Sequence, residues 1–483
     1  MQWNQGTLRR LEQAVTDSPV GLASDAETIA GVVADKAVSP AGFVYGLPHI
    51  DVRTYGAVGD NGVTDNTVAI QAALTAAAAA GGGIVFLPPG SYWAASLMLD
   101  SNVTLVGCGR SSQLVQWPSS TGPLLSNASI DSVNITIRDL QVNGAAVNQT
   151  SATNHGISLD HTGSSNVLRL HRVLNVRIQA CKGSGLYVGE YGGDSTFDNI
   201  SIYQCDEYGL HAVNASDSMF KNINVGQSGK DGVYLNGPRA LHLNTVKSWF
   251  SGRLDGIGCG FRVRGNNVQT SMVNCKAQEN KGHGFFFFGT GAGTPLTGLM
   301  ATSLTSDADN TAASTFVGVR MSDVTASVVR ILVGQFSGGA GTPAGGVSLG
   351  TGCVGNIIDA AWDSSVSASQ FTGGSASRGN SIRWHRGHVA GTYAASYTPD
   401  IWTADVISLT LTGAITVNAP AVNVAGQRLT FIFTQNATGG WAVTWNAVYK
   451  AVWTPNTAAN KINIIEFVCD GANWQQVAST VGI

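Results

Sequence analysis

Between residues 156 and 350 the chain repeats one short pattern: a glycine, an apolar residue, then alternation of polar and apolar positions. The glycine and its apolar follower recur as Gly156-Ile157, Gly185-Leu186, Gly209-Leu210, Gly232-Val233, Gly260-Phe261, Gly284-Phe285, Gly318-Val319 and Gly346-Val347, at steps of 23 to 34 residues. A period of two predicts short strands with one buried face. The inward positions are Leu186 and Val188, Leu210 and Ala212, Val233 and Leu235, Phe261 and Val263, and Phe285 and Phe287. Ahead of several glycines lies a second strand, read from NVRIQAC ending at Cys181, NISIYQC ending at Cys205 and NINVGQS ending at Ser228. A constant core separated by insertions of variable length is the signature of a solenoid. Parallel strands stacked one per coil at about 4.8 Å place residues of equal offset from the glycine in ladders along the axis.

Two of these ladders carry candidate chemistry. Two residues after each glycine, pointing outward, stand Ser158, Tyr187, His211, Tyr234, Arg262 and Phe286. Ring faces for C–H stacking and donors for hydroxyls or carboxylates are what a sugar-binding groove needs. The same groups would equally cover a sheet surface or face a neighbouring subunit. Five residues before each glycine stand Ala180, Gln204, Gln227, Asp255 and Glu279, ending in two acids on adjacent coils. If stacked they lie about 5 Å apart, close to the spacing of a retaining glycosidase pair. Two carboxyls that close push one pKa up, so one serves as acid and the other as base. The insertion after Gly232 leaves the register of Asp255 open, and Asp206, Glu207 and Asp231 are further acids near the turn. Asp255, Glu279, Asp231 and Glu207 are therefore the catalytic candidates, and Tyr187, His211, Tyr234, Arg262 and Trp249 the sugar-holding ones. Cys181 and Cys205, each four residues before its glycine, form a packing ladder with no disulfide expected.

Upstream of the array the chain reads DVRTYGAVGDNGVTDNTVAIQAALTAAAAAGGGIVFLPPGSY from Asp51 to Tyr92. A helix is predicted from about Thr67 to Ala80, capped by Asp65 or Thr67 and stopped at Gly81-Gly82-Gly83. Val68, Ile70, Ala73 and Leu74 make its apolar side, and a strand over 84–87 ends at Pro88-Pro89-Gly90. In order and spacing this block resembles the first coil of the pectate-lyase-like right-handed parallel β-helix proteins, which include polysaccharide-degrading enzymes and phage tailspikes. The resemblance gives Asp60 and Asp65 roles in loop and helix-start geometry.

Composition agrees with stacked coils. Charged residues are 12% of 483, about half the usual share, while glycine contributes 60 positions and hydrophobic residues 43%. A formal charge of -3 leaves no basic footprint for nucleic acid. No apolar run reaches membrane-spanning length, and the opening MQWNQGTLRRLEQ is not a signal peptide. Seven cysteines, without zinc or CxxC spacing, read as reduced thiols in a chain assembled in a host cytoplasm. Nine histidines show no HExxH, and no GxSxG elbow or Walker loop appears at a strand-to-helix junction, so no cofactor or metal is expected.

The ends differ in texture. Residues 23–42, ASDAETIAGVVADKAVSPAG, resemble the short linker repeats of phage tail-fibre proteins, and Leu8 to Val15 could form an amphipathic attachment segment. Beyond His388 alternating runs such as VISLTL, RLTFIFTQ and INIIEFVCD, with Trp402, Trp441, Trp445, Trp453 and Trp474, predict a compact sandwich. This tail resembles the small modules that close phage tailspikes.

The expected fold is therefore all-β: a right-handed parallel β-helix, a single-stranded solenoid, followed by a small C-terminal antiparallel β-sandwich. The expected domains are a tail-fibre-like connector over 1–47, the β-helix over 48–387, and the C-terminal module over 388–483 for trimerisation or receptor binding. The resemblance implies a homotrimeric phage tailspike in the virion, joined through its N-terminus to other tail or baseplate proteins. It would bind bacterial surface polysaccharide, capsule or O-antigen, and cleave it internally by hydrolysis with paired carboxylates. A lyase cleaving a uronate-containing glycan would instead use His211, Lys230 or Tyr234 as base beside Arg262. A non-catalytic receptor-binding spike, and a secreted pectinase-type enzyme, complete the alternatives.

Overall fold

Parallel ladders built on the glycine pattern run through most of the chain. The computed structural model describes residues 49–483 apart from 165–167, 191–192, 267, 292, 310–315, 337–344, 363–370, 373–379, 385–387, 402–403, 422 and 424. The connector expected over 1–47 and Trp402 lie outside the described residues.

Six strands that follow the glycines define the face of interest: β1 (Leu186–Val188), β2 (Leu210–Val213), β3 (Val233–Asn236), β4 (Phe261–Arg264), β5 (Phe285–Phe288) and β6 (Val319–Ser322). They are consecutive members of an 11-stranded parallel sheet. Leu186 pairs with Leu210, Leu210 with Val233, Val233 with Phe261, Phe261 with Phe285 and Phe285 with Val319. The inward positions named from the sequence are all buried, and the rings of Phe261 and Phe285 stack at 4.8 Å.

The preceding segments form an 18-stranded sheet. Its long strands, such as Thr196–Tyr203 and Met219–Gly226, are bent by a left-handed residue at Asn199 and Asn222. Asparagine tolerates that conformation better than most side chains, and its amide also ties coils together: Asn199 donates to Asn175 and Asn222 to Asp198, each at 2.9 Å. Bend, corner and glycine strand give each coil its sides.

The recurring glycine is there for space. Gly209 is not left-handed, but a Cβ on it would lie 2.1 Å from Val225 Cγ1 and 2.9 Å from the Gly232 carbonyl oxygen of the next coil. Gly209→Ala should therefore cost about 1–3 kcal/mol through overpacking, read as a lower denaturant midpoint at unchanged slope.

At the N-terminal end, α1 (Thr67–Ala79) buries Ile70, Ala73, Leu74 and Ala77. Val68, read as part of that side, is 82% exposed, because the buried stripe follows the i, i+3, i+4, i+7 spacing from Ile70. Asp65 accepts the Thr67 amide, and Asp60 accepts the amides of Val63 and Thr64. Both acids hold local geometry.

The C-terminal region packs a six-stranded sheet against a three-stranded one. Phe431, Phe433, Trp445, Tyr449 and Phe467 meet between them. Its pairing is mixed where the alternation suggested antiparallel only. Strand Val406–Leu411 pairs parallel with Arg428–Gln435, continuing the solenoid's habit, and only then does Arg428–Gln435 pair antiparallel with Ile462–Cys469. Trp474 is fully buried. The cysteines are free, and six of the seven are buried.

Candidate active site

The outward positions of β1 to β6 form one continuous ladder. Ser158 registers with Tyr187, Tyr187 with His211, His211 with Tyr234, Tyr234 with Arg262, Arg262 with Phe286, and Phe286 with Arg320. Rings meet along it: His155 stacks on Tyr187 at 4.9 Å and His211 on Tyr234 at 5.3 Å. Tyr208, just before the glycine of β2, closes over both His211 at 4.6 Å and Tyr234 at 4.9 Å.

Two clefts open on this face and share Tyr208. One, of about 420 Å³, is lined by His155, Ser158, Asp160, Tyr187, Glu207 and His211 among others. The other, of about 450 Å³, is lined by Lys230, Asp231, Tyr234, Asp255, Arg262, Arg264, Phe286, Phe288 and Asp323 among others. Together they make a groove running along the axis across successive coils.

At its centre is a desolvated ion pair. Asp231 Oδ2 accepts from Arg262 Nε at 2.7 Å, and Oδ1 accepts from Arg262 Nη2 at 3.0 Å and from the Cys259 amide at 2.7 Å. The Asp231 side chain is 5% exposed and that of Arg262 26%. Burial pushes the Asp231 carboxyl up, while Arg262 and the Cys259 amide pull it back. Burial opposes the charge of Arg262, but the negative groups around it keep the guanidinium protonated. The bidentate geometry fixes the plane of Arg262, whose guanidinium carbon lies 5.3 Å from the Phe286 ring centroid.

Neighbouring groups are tuned by the same burial. The Tyr208 hydroxyl is pushed up to about 12 by desolvation and by Asp231. His211 and His155 are both lowered to about 4 by burial, His211 further by His155 and Lys230. At neutral pH both imidazoles are therefore neutral, and act as hydrogen-bonding and stacking groups.

The structure sorts the sequence candidates. Tyr187, His211, Tyr234 and Arg262 stand on the groove ladder. Asp231 and Asp255 line one cleft, and Glu207 lines the other, paired with Lys230 Nζ. Asp255 is exposed, and its Oδ1 accepts the amides of Ile257 and Gly258. Its stacking on Glu279 is not found. The left-handed corner ladder runs Ala180, Gln204, Gln227, Phe250, Glu279, Ala308, with Phe250 donating its amide to Gln278 O and Glu279 donating to Asp307 O. Phe250 takes the place assigned to Asp255, because the insertion after it carries Asp255 out over the groove. Glu279 stays at the corner, accepts from Gln278 Nε2 and acts on Lys247. Trp249 is also elsewhere: it belongs to the 18-stranded sheet, donates to Asn224 Oδ1 and packs on Tyr203 and Phe250.

Arg264, Phe288, Tyr208 and Asp323 were not singled out from the sequence. Arg264 and Phe288 are four after their glycines, the next outward step of the same alternation. Tyr208 and Asp231 both immediately precede a glycine, a ladder the glycine alignment already contained. Among the described residues no group of three or more His, Cys, Asp or Glu side chains is arranged to hold a metal ion. No helix there is long and apolar enough to cross a membrane.

Comparison with known proteins follows this geometry. The family profile "Rhamnogalacturonase A/epimerase, pectate lyase-like" matches residues 49–286, and "Putative phage tail fibre C-terminal domain" matches residues 397–474. Mannuronan C5-epimerase AlgE6 of Azotobacter vinelandii is 27% identical over 203 residues, covering 35% of this chain and 23% of the epimerase. AlgE4 of the same organism is 29% identical over 202 residues, 34% of this chain and 36% of that enzyme. The chain thus spans well under two thirds of these relatives. Among solved structures, tailspike protein 2 from Escherichia coli O157:H7 bacteriophage CAB120 superposes with a TM-score of 0.54 at 18% identity, over 65% of this chain and 42% of the tailspike. The A-module of AlgE4 from Azotobacter vinelandii gives 0.53 at 15% identity, over 85% of this chain and all of the module. At such identities the structural likeness is one of fold.

Proposed function

We propose, from the match of residues 49–286 to a pectate-lyase-like family profile, that the chain is a phage tailspike of the right-handed parallel β-helix class whose groove binds and depolymerises bacterial surface polysaccharide. The observation that carries this reading is the unbroken outward ladder Tyr187, His211, Tyr234 and Arg262 leading to the Asp231–Arg262 pair. Stacked rings and neutral imidazoles suit sugar faces and hydroxyls. The ladder's length suits a polymer better than a small metabolite. The tail-fibre profile over 397–474 supports the virion context. In that context residues 1–47 serve as connector to tail or baseplate proteins, and the chain works as a homotrimer with its C-terminal module in trimerisation or receptor binding.

For the chemistry, hydrolysis uses the groove's own acids. Asp255 keeps Oδ2 clear of its loop hydrogen bonds, Asp231 lines the same cleft, and Glu207 lines the neighbouring one. One carboxyl would protonate the glycosidic oxygen while a carboxylate activates water or attacks the anomeric carbon. Because Asp231 is saturated by Arg262 and Cys259, its part is to hold Arg262, and Asp255 and Glu207 are the acids open to substrate. A second reading is favoured by one specific observation: Lys230, Arg262 and Arg264 line the same cleft as Tyr208 and Tyr234. Cations beside phenols suit removal of a proton next to a neutralised carboxylate, giving β-elimination from a uronate.

The test is incubation with purified capsules and O-antigens from a panel of bacteria, followed by size-exclusion chromatography with reducing-end and ultraviolet readouts. Shortened chains with reducing ends alone mean hydrolysis, and an added ultraviolet-absorbing product means elimination. Binding without shortening on any glycan would leave an adhesive spike and remove the depolymerase reading. On a cleaved glycan, Tyr234→Ala should raise KM roughly tenfold, as expected for loss of about 1–2 kcal/mol of ring contact, with a smaller change in kcat.

A further inference from the structure

The far end of the groove holds a patch that the proposed hydrolysis does not use. Phe286 and Phe288, both outward on β5, stack on each other at 4.5 Å with planes 23° apart. Phe286 registers between Arg262 on one coil and Arg320 on the next, and Phe288 between Arg264 and Ser322. The guanidinium carbons of Arg262 and Arg320 lie 5.3 Å and 6.0 Å from the Phe286 ring centroid. Arginines thus flank an aromatic platform from both neighbouring coils.

The three arginines differ in one respect. Arg262 is neutralised by Asp231. Among the described residues, the guanidinium groups of Arg264 and Arg320 have neither an ion pair nor a hydrogen-bond partner, although Asp255 and Asp323 line the same cleft as Arg264. Both are half-buried on a chain whose formal charge is -3. Placing two uncompensated guanidinium groups around one platform costs repulsion, and a bound anion relieves it. The platform adds an apolar surface on which a sugar ring can lie while its acidic substituent meets the arginines.

Resting on the groove reading above, we infer that Arg264 and Arg320, with the Phe286–Phe288 platform, form a subsite for an anionic sugar residue, so that the preferred glycan carries a charged unit at this end of the groove. The anion is a carboxylate or a phosphate ester, since guanidinium forks accept either.

The test is saturation-transfer NMR of the full chain with glucuronate, glucose 6-phosphate and glucose. Transfer to glucuronate, to glucose 6-phosphate or to both, with little to glucose, is expected, and which charged sugar responds more strongly identifies the anion. The R264A/R320A variant should bind the charged sugar at least tenfold more weakly, whereas R264K/R320K should recover part of the loss, which a merely structural role would not produce. Raising the salt concentration should weaken binding in the unmodified protein, a readout independent of how any variant folds. Equal transfer to glucose and both charged sugars, binding insensitive to salt, or unchanged binding in R264A/R320A would overturn the subsite. These arms need no cleavage. A protein that cleaves polysaccharide but ignores glucuronate and glucose 6-phosphate sinks only this inference, and one that binds them but cleaves nothing sinks only the depolymerase reading.

Discussion

Asp231→Ala is expected to destabilise the protein by about 3–5 kcal/mol and to reduce glycan cleavage by about 100-fold or more. The stability loss follows from what is left behind. Removing the carboxylate strands the Arg262 guanidinium, three-quarters buried, with no counter-ion, and frees the Cys259 amide that Asp231 accepts at 2.7 Å. The activity loss follows from orientation, because the two bonds to Asp231 fix the plane of Arg262 in the groove. Asparagine should be a poor rescue: its amide would face the donors of Arg262. The D231A/R262A double variant should recover part of the lost stability, since the orphaned charge goes with it, but none of the activity. Urea unfolding of the unmodified protein, D231A, R262A and D231A/R262A, with reducing-end assays on a cleaved glycan, gives the cycle. A fully stable and fully active D231A would remove the pair from the site.

Stability should also fall steeply as pH drops from about 6.5 towards 4. Burial lowers His171 to about 3, helped by His161 and Arg169, and lowers His283, His155 and His211 to about 4. The geometry explains why these rings reject a proton. His171 Nδ1 accepts the Ile135 amide at 3.1 Å, its Nε2 meets His161 Nε2 at 2.8 Å, and His161 Nδ1 meets the Ile130 carbonyl at 2.8 Å. One chain of neutral tautomers satisfies every contact, and a further proton sets two N–H groups against each other. His283 Nδ1 likewise accepts the Val317 amide at 3.0 Å.

The sign follows from the direction of these shifts. A histidine whose folded pKa lies below its unfolded value is protonated first in the unfolded chain. Its contribution is therefore complete above about 6.5 and is lost as pH falls towards the folded pKa. Each such group gives at most about 1.4 kcal/mol per pH unit. For His171 and His283, 1% and 7% exposed, two units below 6.5 cost on the order of 5 kcal/mol together. Asp309 works the other way: burial raises it to about 7, so it favours the folded state as pH falls from 7 towards 3.8. Its effect, about 3 kcal/mol over the same range, offsets roughly one histidine, and His155, His161 and His211 add to the loss. Thermal unfolding from pH 8 to pH 4 should show the decline, and His171→Leu, less stable at pH 8, should show a shallower one. A flat profile would contradict the neutral-histidine account.

Much of the groove was legible because a strand's side chains alternate regardless of context. Once Gly185, Gly209, Gly232 and Gly260 are aligned, Tyr187, His211, Tyr234 and Arg262 must share a face, and the same count carried one step further reaches Arg264 and Phe288. Trp249 was misplaced for want of an offset: it ends a strand of the other sheet, and its composition alone suggested sugar. Asp255 was misplaced by counting backwards from Gly260 across a loop, where a fixed offset has no meaning.

The sequence alone determined the repeating coil, the inward core and the outward ladder, because these depend on local alternation and on glycines that leave room for the next coil. Tertiary structure alone decided which charged groups meet. Asp231 and Arg262 are 31 residues apart yet share two hydrogen bonds, while Asp255 and Glu279, equally plausible by count, stand at different places on the coil. In a solenoid, lateral neighbours are a whole turn away along the chain. Every insertion between them changes which residues stack, and only the folded backbone records where the extra residues go.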